Sequence, residues 1–219
     1  MEVYLVANPK GGAGKSTLAT NLAGLLARRA EQGARLQVML GDVDRQQSSR
    51  LWLERRASVL PRISPWEQVS GKLGRAPRGT THIVLDTPAA LHGDKLKECL
   101  RLASRVLVPV QASMFDILAT QDFFDELAEM KAARGLPIAL IGMRVNERTR
   151  AADELARYVE QSGLPLLTCL RDTQNYVQLA AHGMTLFDVP PSRVSKDLEQ
   201  WSVIESWLGL SSALPHTLD

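Results

Sequence analysis

With 219 residues, 45% of them hydrophobic and 23% charged, the chain has the size and composition of one α/β domain, and nothing marks a large disordered portion. Its 26 basic and 24 acidic residues leave a formal net charge of +2, too small to name a partner. Cys99 and Cys169 lie in apolar surroundings with no C-x-x-C or histidine cluster, so neither a disulfide framework nor a zinc site is signalled, and a reducing compartment is expected.

The chain opens on a strand candidate, residues 2–8, with no charged leader or apolar signal segment, and no run approaches the roughly 18 apolar residues of a membrane span. A cytoplasmic protein is expected. Further strand candidates are 35–41, 81–86, 104–110, 138–145 and, more weakly, 165–170; most are almost continuously apolar, as strands covered on both faces must be. Helical periodicity falls between them, at about 15–31, 46–57, 93–102, 115–133, 151–162, 173–182 and 195–208. Alternating strands and helices predict an α/β fold with a doubly wound, mostly parallel sheet and helices on both faces, read as one domain over 1–219. Charge is uneven: Arg45 to Arg78 holds eight Lys/Arg against two acids, and Asp122 to Glu129 four acids and no base, which reads first as two solvated faces.

In such a sheet ligands gather outside the carboxyl ends of the strands. Asn8 to Thr17 follows the first strand, Asp42 and Asp44 the second, Asp86-Thr87-Pro88 ends the third, and Asn146 follows the strand at 138–145, so every chemically suggestive residue falls on one edge. The stretch "NPKGGAGKST" matches the phosphate-loop pattern at Gly14, Lys15 and Ser16 but has Pro9 where the leading glycine belongs, and a second lysine at Lys10. Gly11, Gly12 and Gly14 free the backbone to turn its N–H groups inward, and the helix starting near Lys15 adds its positive end. Lys15 then suits the β- and γ-phosphates and the Ser16 hydroxyl a magnesium ion. A plain glycine turn explains neither the Lys-Ser pair nor its place after a buried strand. Magnesium takes oxygen ligands, and Asp86, at the end of "HIVLD", is the best protein carboxylate for it. Asp42 and Asp44 could orient water, support the metal shell or cap the helix that starts near Gln46.

The run Lys10-Gly11-Gly12-Ala13-Gly14-Lys15-Ser16-Thr17, the segment Asp42-Val43-Asp44-Arg45-Gln46 and the Asp86-Thr87-Pro88 end resemble the deviant Walker A ATPases of the ParA/MinD family. "VLVPVQASMFDILAT" at 106–120 and "RVNERT" at 144–149 are similar to later segments of ParA proteins, in the same order. The likeness runs from residue 1 to about 190 and is nearest to short ParA proteins of the ParF type. It implies ATP and Mg²⁺ as cofactors, with the loop from Gly11 to Thr17, Ala13 included, around the nucleotide. Lys10 takes the place of the signature lysine, which reaches the phosphates of the other subunit in an ATP sandwich homodimer, and Lys15 that of the lysine acting in its own subunit. Asp44 matches the acid that positions the hydrolytic water, Asp42 supports the metal shell and Asp86 holds it. Asn146 matches the residue that reads adenine, with the loop near Pro190 closing over the base. The family's Asp-Pro-Gln is Asp44-Arg45-Gln46 here.

The resemblance implies a slow, partner-stimulated ATPase that binds nonspecific DNA in its ATP state, associates with the nucleoid, and segregates plasmid or chromosomal DNA with a centromere-binding adaptor. Arg148, Arg150, Arg171, Arg193 and Lys196 are the candidate DNA contacts, since nonspecific affinity needs only cations against phosphates. Two alternatives remain: a positioning ATPase for a non-DNA cargo, and a small-molecule ligase or kinase. No membrane partner is expected, because the C-terminal segment from Leu198 pairs its apolar side with an acidic face rather than a basic one.

Overall fold

The computed structural model describes residues 1–44, 47–66, 68–69, 72–146, 148–163 and 166–210. The chain runs β1 (Glu2–Val6), α1 (Lys15–Glu31), β2 (Val38–Asp42), α2 (Ser48–Glu54), β3 (Ser64–Trp66), β4 (Gln68–Val69), β5 (Lys72–Leu73), β6 (His82–Asp86), α3 (Gly93–Leu102), β7 (Arg105–Gln111), α4 (Met114–Glu129), β8 (Ile138–Val145), α5 (Arg150–Ser162), β9 (Leu166–Arg171), α6 (Gln174–Ala180) and α7 (Ser195–Trp207).

Seven strands form one sheet in the order β3-β2-β6-β1-β7-β8-β9, and every pairing in it is parallel. The chain steps from β1 out to β2 and β3, returns to β6, and crosses to β7, β8 and β9 on the other side. The winding therefore reverses about β1, the place where doubly wound sheets bind ligands beyond the carboxyl ends of their strands. β4 and β5 form a separate antiparallel pair.

Period-two alternation splits β1 between two cores. Val3, Leu5 and Ala7 face a cluster with Leu96 and Leu100 of α3, Phe123 and Leu127 of α4 and Leu155 of α5. Tyr4 and Val6 face the opposite cluster, with Leu18, Leu22 and Leu26 of α1, Trp52 of α2 and Trp201 and Ile204 of α7. Helices cover both faces, as the nearly unbroken apolar strands require.

A 3₁₀ turn at Leu186–Asp188 is pressed against α1, which explains a glycine in mid-helix. A Cβ at Gly24 would stand 2.4 Å from the Thr185 hydroxyl, and the Leu186 N–H donates to Asn21 Oδ1 at 3.1 Å. The same turn is fastened to the end of α2. Arg56 donates to both oxygens of Asp188 at 2.8 Å and to the carbonyls of Pro61 and Gly183, so all five of its N–H groups have acceptors. Both side chains are sealed from solvent, 4% and 0% exposed. No helix of the described residues is long and apolar enough to cross a membrane.

Candidate functional site

β1, β2, β6 and β8 deliver their C-terminal residues to the one edge anticipated from the sequence. Asn8, 2% exposed, anchors the loop entry: its amide donates to the Pro109 carbonyl at 2.8 Å and the Thr120 hydroxyl at 3.1 Å, while its Oδ1 accepts the Lys10 N–H at 2.8 Å. Pro9 gives its carbonyl to the Ala90 N–H at 2.8 Å. The loop is thus tied to β7, α4 and the segment after β6 before the glycines begin. On its far side the Gln111 amide donates to the Gly12 carbonyl at 2.6 Å.

Gly14 closes the loop in the left-handed region, at φ 94°. Its lack of a side chain is required twice over, because a Cβ there would also come 2.9 Å from Met143 Cε. Around Gly11 and Gly12 no atom stands within 4 Å of where a Cβ would lie, so this part of the loop faces open space. α1 begins at Lys15 with its first N–H groups turned toward the loop. Lys15 is 8% exposed, and its ammonium donates to the Lys10 carbonyl across the loop at 2.8 Å. Burial lowers its pKa, and the nearby Asp86 and Asp44 pull it partly back. Lys10 is half-buried, and among the described residues no hydrogen bond or ion pair engages its ammonium.

Three acids stand beside the loop. Asp42 and Asp86 are register partners on adjacent parallel strands, roughly 4.8 Å apart along the hydrogen-bonding direction. Asp86 is 1% exposed, and among the described residues its Oδ1 has no hydrogen-bond partner. Its pKa is raised to about 7, chiefly by burial and also by Asp42, against the opposing pull of the Ser16 and Ser49 hydroxyls and Lys15. An orphaned, buried carboxylate oxygen next to the Ser16 hydroxyl is the donor set a hard cation needs, so the residues present fit Mg²⁺. Asp42 Oδ1 accepts the Asp44 N–H at 2.9 Å. Asp42 Oδ2 accepts the Ser49 N–H at 2.9 Å, the Ser49 hydroxyl at 2.8 Å and the Arg50 N–H at 3.3 Å. Asp42 therefore caps α2 from the neighbouring strand, the third role the sequence left open for it. Arg45 and Gln46 lie outside the described residues.

Asn146 reaches the same edge after β8. It is exposed, its Oδ1 accepting the Arg148 N–H at 3.2 Å and its backbone carbonyl the Thr149 N–H and hydroxyl at the start of α5. Pro190 lies in a later loop, before the 3₁₀ turn at Pro191–Arg193. The chain leaves this edge through α6 and returns along the second half of α1, where Val189 and Pro191 line a groove of about 250 Å³ with Leu25, Arg28 and Gln32. Leu25 is about 15 Å of helix beyond Lys15. After β9 the residues at the edge are Asp172 and Thr173, with Asp172 held by Arg144 at 3.1 Å.

Of the candidate DNA contacts, Arg148, Arg150, Arg193 and Lys196 are exposed. Arg171 is bound to Asp197, whose side chain is 0% exposed and which also accepts the Asn175 amide at 2.8 Å. That pairing raises the Arg171 pKa and gives it a structural role. Sequence reading missed Asn8, Ser49, Gln111 and Met143. Asn8 and Gln111 could have been found as polar residues ending buried strands; Ser49 and Met143 are ordinary choices at their positions and carry no signal.

Comparison with known proteins agrees with this geometry. The family model described as the CobQ/CobB/MinD/ParA nucleotide binding domain matches residues 4–186. A curated relative, maintenance of carboxysome distribution protein A of Gloeobacter kilaueensis, is 27% identical over 189 residues, 84% of this chain and 83% of its own. Among solved structures, the ATP complex of Cyanothece McdA superposes with a TM-score of 0.69 at 17% identity, covering 98% of each chain. A plasmid partition protein from Borrelia burgdorferi B31, described as putative and bound to AMPPNP, gives 0.70 at 18% identity, covering 94% of this chain and 99% of its own.

Proposed function

We propose, from the premise that this chain belongs to the CobQ/CobB/MinD/ParA nucleotide-binding family, that it is a single-domain positioning ATPase that distributes a large protein assembly rather than a replicon. Members of this family are nucleotide-binding proteins, and solved relatives of this fold hold ATP or AMPPNP. The observation that carries the choice of cargo is the carboxysome-distribution relative, matched over most of both chains.

In this reading the open glycine loop takes the phosphates of ATP and Lys15 exchanges the Lys10 carbonyl for a phosphate oxygen. That exchange suits a lysine already desolvated and already aimed across the loop. Ser16 and Asp86 would hold Mg²⁺, which when bound neutralises phosphate charge. Asp44 orients the attacking water, and Asp42 fixes the segment that carries Asp44. Lys10, with no partner among the described residues, serves the nucleotide of a second subunit in an ATP-dependent homodimer. Asn146 contacts the base. The dimer and the monomer present different surfaces, so hydrolysis stimulated by a partner protein acts as a timer. In its ATP state the dimer binds duplex DNA without sequence preference through exposed cations such as Arg148, Arg150, Arg193 and Lys196, and so uses the nucleoid as its track.

Partition of a plasmid or chromosome with a centromere-binding adaptor is the second reading, favoured by the likeness to the Borrelia protein. Both predict salt-sensitive, ATP-dependent DNA binding. They part in the cell: deletion should disturb the spacing of a cytoplasmic assembly and leave replicon retention unchanged. Loss of a plasmid at unchanged spacing would overturn the first reading in favour of the second.

A further inference from the structure

One carboxylate pins both ends of the segment that carries Asp44. The Asp44 N–H is fixed to Asp42 Oδ1 at 2.9 Å, and five residues later the chain returns to the same side chain. There Ser49 N–H and the Arg50 N–H close on Asp42 Oδ2 at 2.9 and 3.3 Å, and the Ser49 hydroxyl at 2.8 Å. Ser49 is 0% exposed, and its hydroxyl also reaches the neighbourhood of Asp86. The residue starting α2, Gln47, holds a left-handed backbone at φ 51° and offers no side-chain cap. Asp42 therefore substitutes for the missing local cap, and the Ser49 hydroxyl is a side-chain donor to it from α2.

We propose that Ser49 is a positioning residue for ATP hydrolysis: through Asp42 it holds the start of α2 against the carboxylate pair and thereby sets where Asp44 stands. This rests on the ATPase reading above and adds to it a residue that never touches the nucleotide. The physical reason is economy of constraint. Asp44 and Ser49 both hang from one buried carboxylate, so what fixes that carboxylate fixes Asp44, and a charge-assisted hydrogen bond is about twice as strong as a neutral one. Removing the hydroxyl leaves the two amides in place, so the fold persists while the hold on Asp42 weakens. Phosphate binding is untouched, because Lys15 and the glycine loop hang from β1 and α1.

The test uses the full chain carrying S49A, S49T or S49V; threonine keeps and valine loses the hydroxyl at nearly equal volume. ATP affinity is measured with a fluorescent ATP analogue, hydrolysis by single turnover of γ-labelled ATP, and amide exchange at Ser49 and Arg50 by NMR without nucleotide. S49A and S49V should hydrolyse at least tenfold more slowly at ATP affinity within twofold of the parent, with several-fold faster exchange at Arg50, and S49T should restore both. Unchanged hydrolysis in S49A and S49V would overturn the proposal, as would a loss of ATP affinity equal to the loss of rate in all three variants. A parent chain that neither binds nor hydrolyses ATP would instead overturn the ATPase reading on which the proposal stands.

Discussion

Replacing Asp86 by asparagine should change how stability depends on pH, and the size of the change follows from the burial of this carboxyl. Its pKa is raised from 3.8 to about 7 in the cation-free fold, chiefly by desolvation. The unfolded chain therefore releases this proton near pH 4 while the folded one keeps it to near 7. Across that window the folded state binds more protons, so this group lowers stability as pH rises and adds nothing further above it. At about 1.4 kcal/mol per unit, the contribution between pH 4.5 and 8 is about 3 kcal/mol. Asparagine does not titrate, so the stability of D86N relative to the parent should rise by about that amount over the range. Taking the difference between the two proteins cancels the other titrating groups to the extent that they lie away from residue 86. Urea denaturation at half-unit pH steps in the presence of a chelator measures it. Parallel stability curves for the two proteins would refute the assignment of a carboxyl whose pKa burial raises at this position.

Three further outcomes follow. K15A should lose ATP affinity by at least a hundredfold in an equilibrium binding assay while its melting temperature stays near the parent's, because among the described residues its ammonium hydrogen-bonds a loop carbonyl, and the cost of its burial outweighs its attraction to Asp86 and Asp44. R56M leaves Asp188 buried opposite an apolar side chain and should cost about 3 to 5 kcal/mol by denaturant unfolding, whereas R56M/D188N, which removes the charge and keeps an acceptor for the Thr185 N–H and hydroxyl, should recover part of it; equal losses in the two would show that the unpaired charge is not the source. G14A should cost at least about 1 kcal/mol and weaken nucleotide binding, since alanine resists φ 94° and its Cβ meets Met143.

The sheet and its helices were legible because long elements carry strong periodicity, and the helices over 15–31 and 93–102 keep their expected bounds. The misses have local causes. β3 is a three-residue edge strand with Pro65 inside it, too short and too interrupted to read as apolar alternation. α2 spans Ser48–Glu54 rather than 46–57: its start is fixed by Asp42 from another strand, and the chain beyond it turns so that Arg56 can reach Asp188, a partner 132 residues away. α4 stops at Glu129 because Met130 turns extended at ψ 120°, leaving Lys131–Ala133 as a separate 3₁₀ turn. At the site, the loop and three acids could be named from spacing alone. Which carboxylate would be orphaned and which would cap a helix could not, because Asp42 and Asp86 both end apolar strands and differ only in what packs beside them.

The central claim is a nucleotide-dependent switch built on Lys10 and Lys15, and the mass of the protein in solution tests it most directly. Light scattering after size exclusion, with Mg-ATP and with Mg-ADP, should show the parent as a dimer in ATP and a monomer in ADP. K10A should bind ATP yet remain a monomer in both. A parent whose mass is the same in the two nucleotides, or a K10A variant that dimerises as the parent does, would contradict the account.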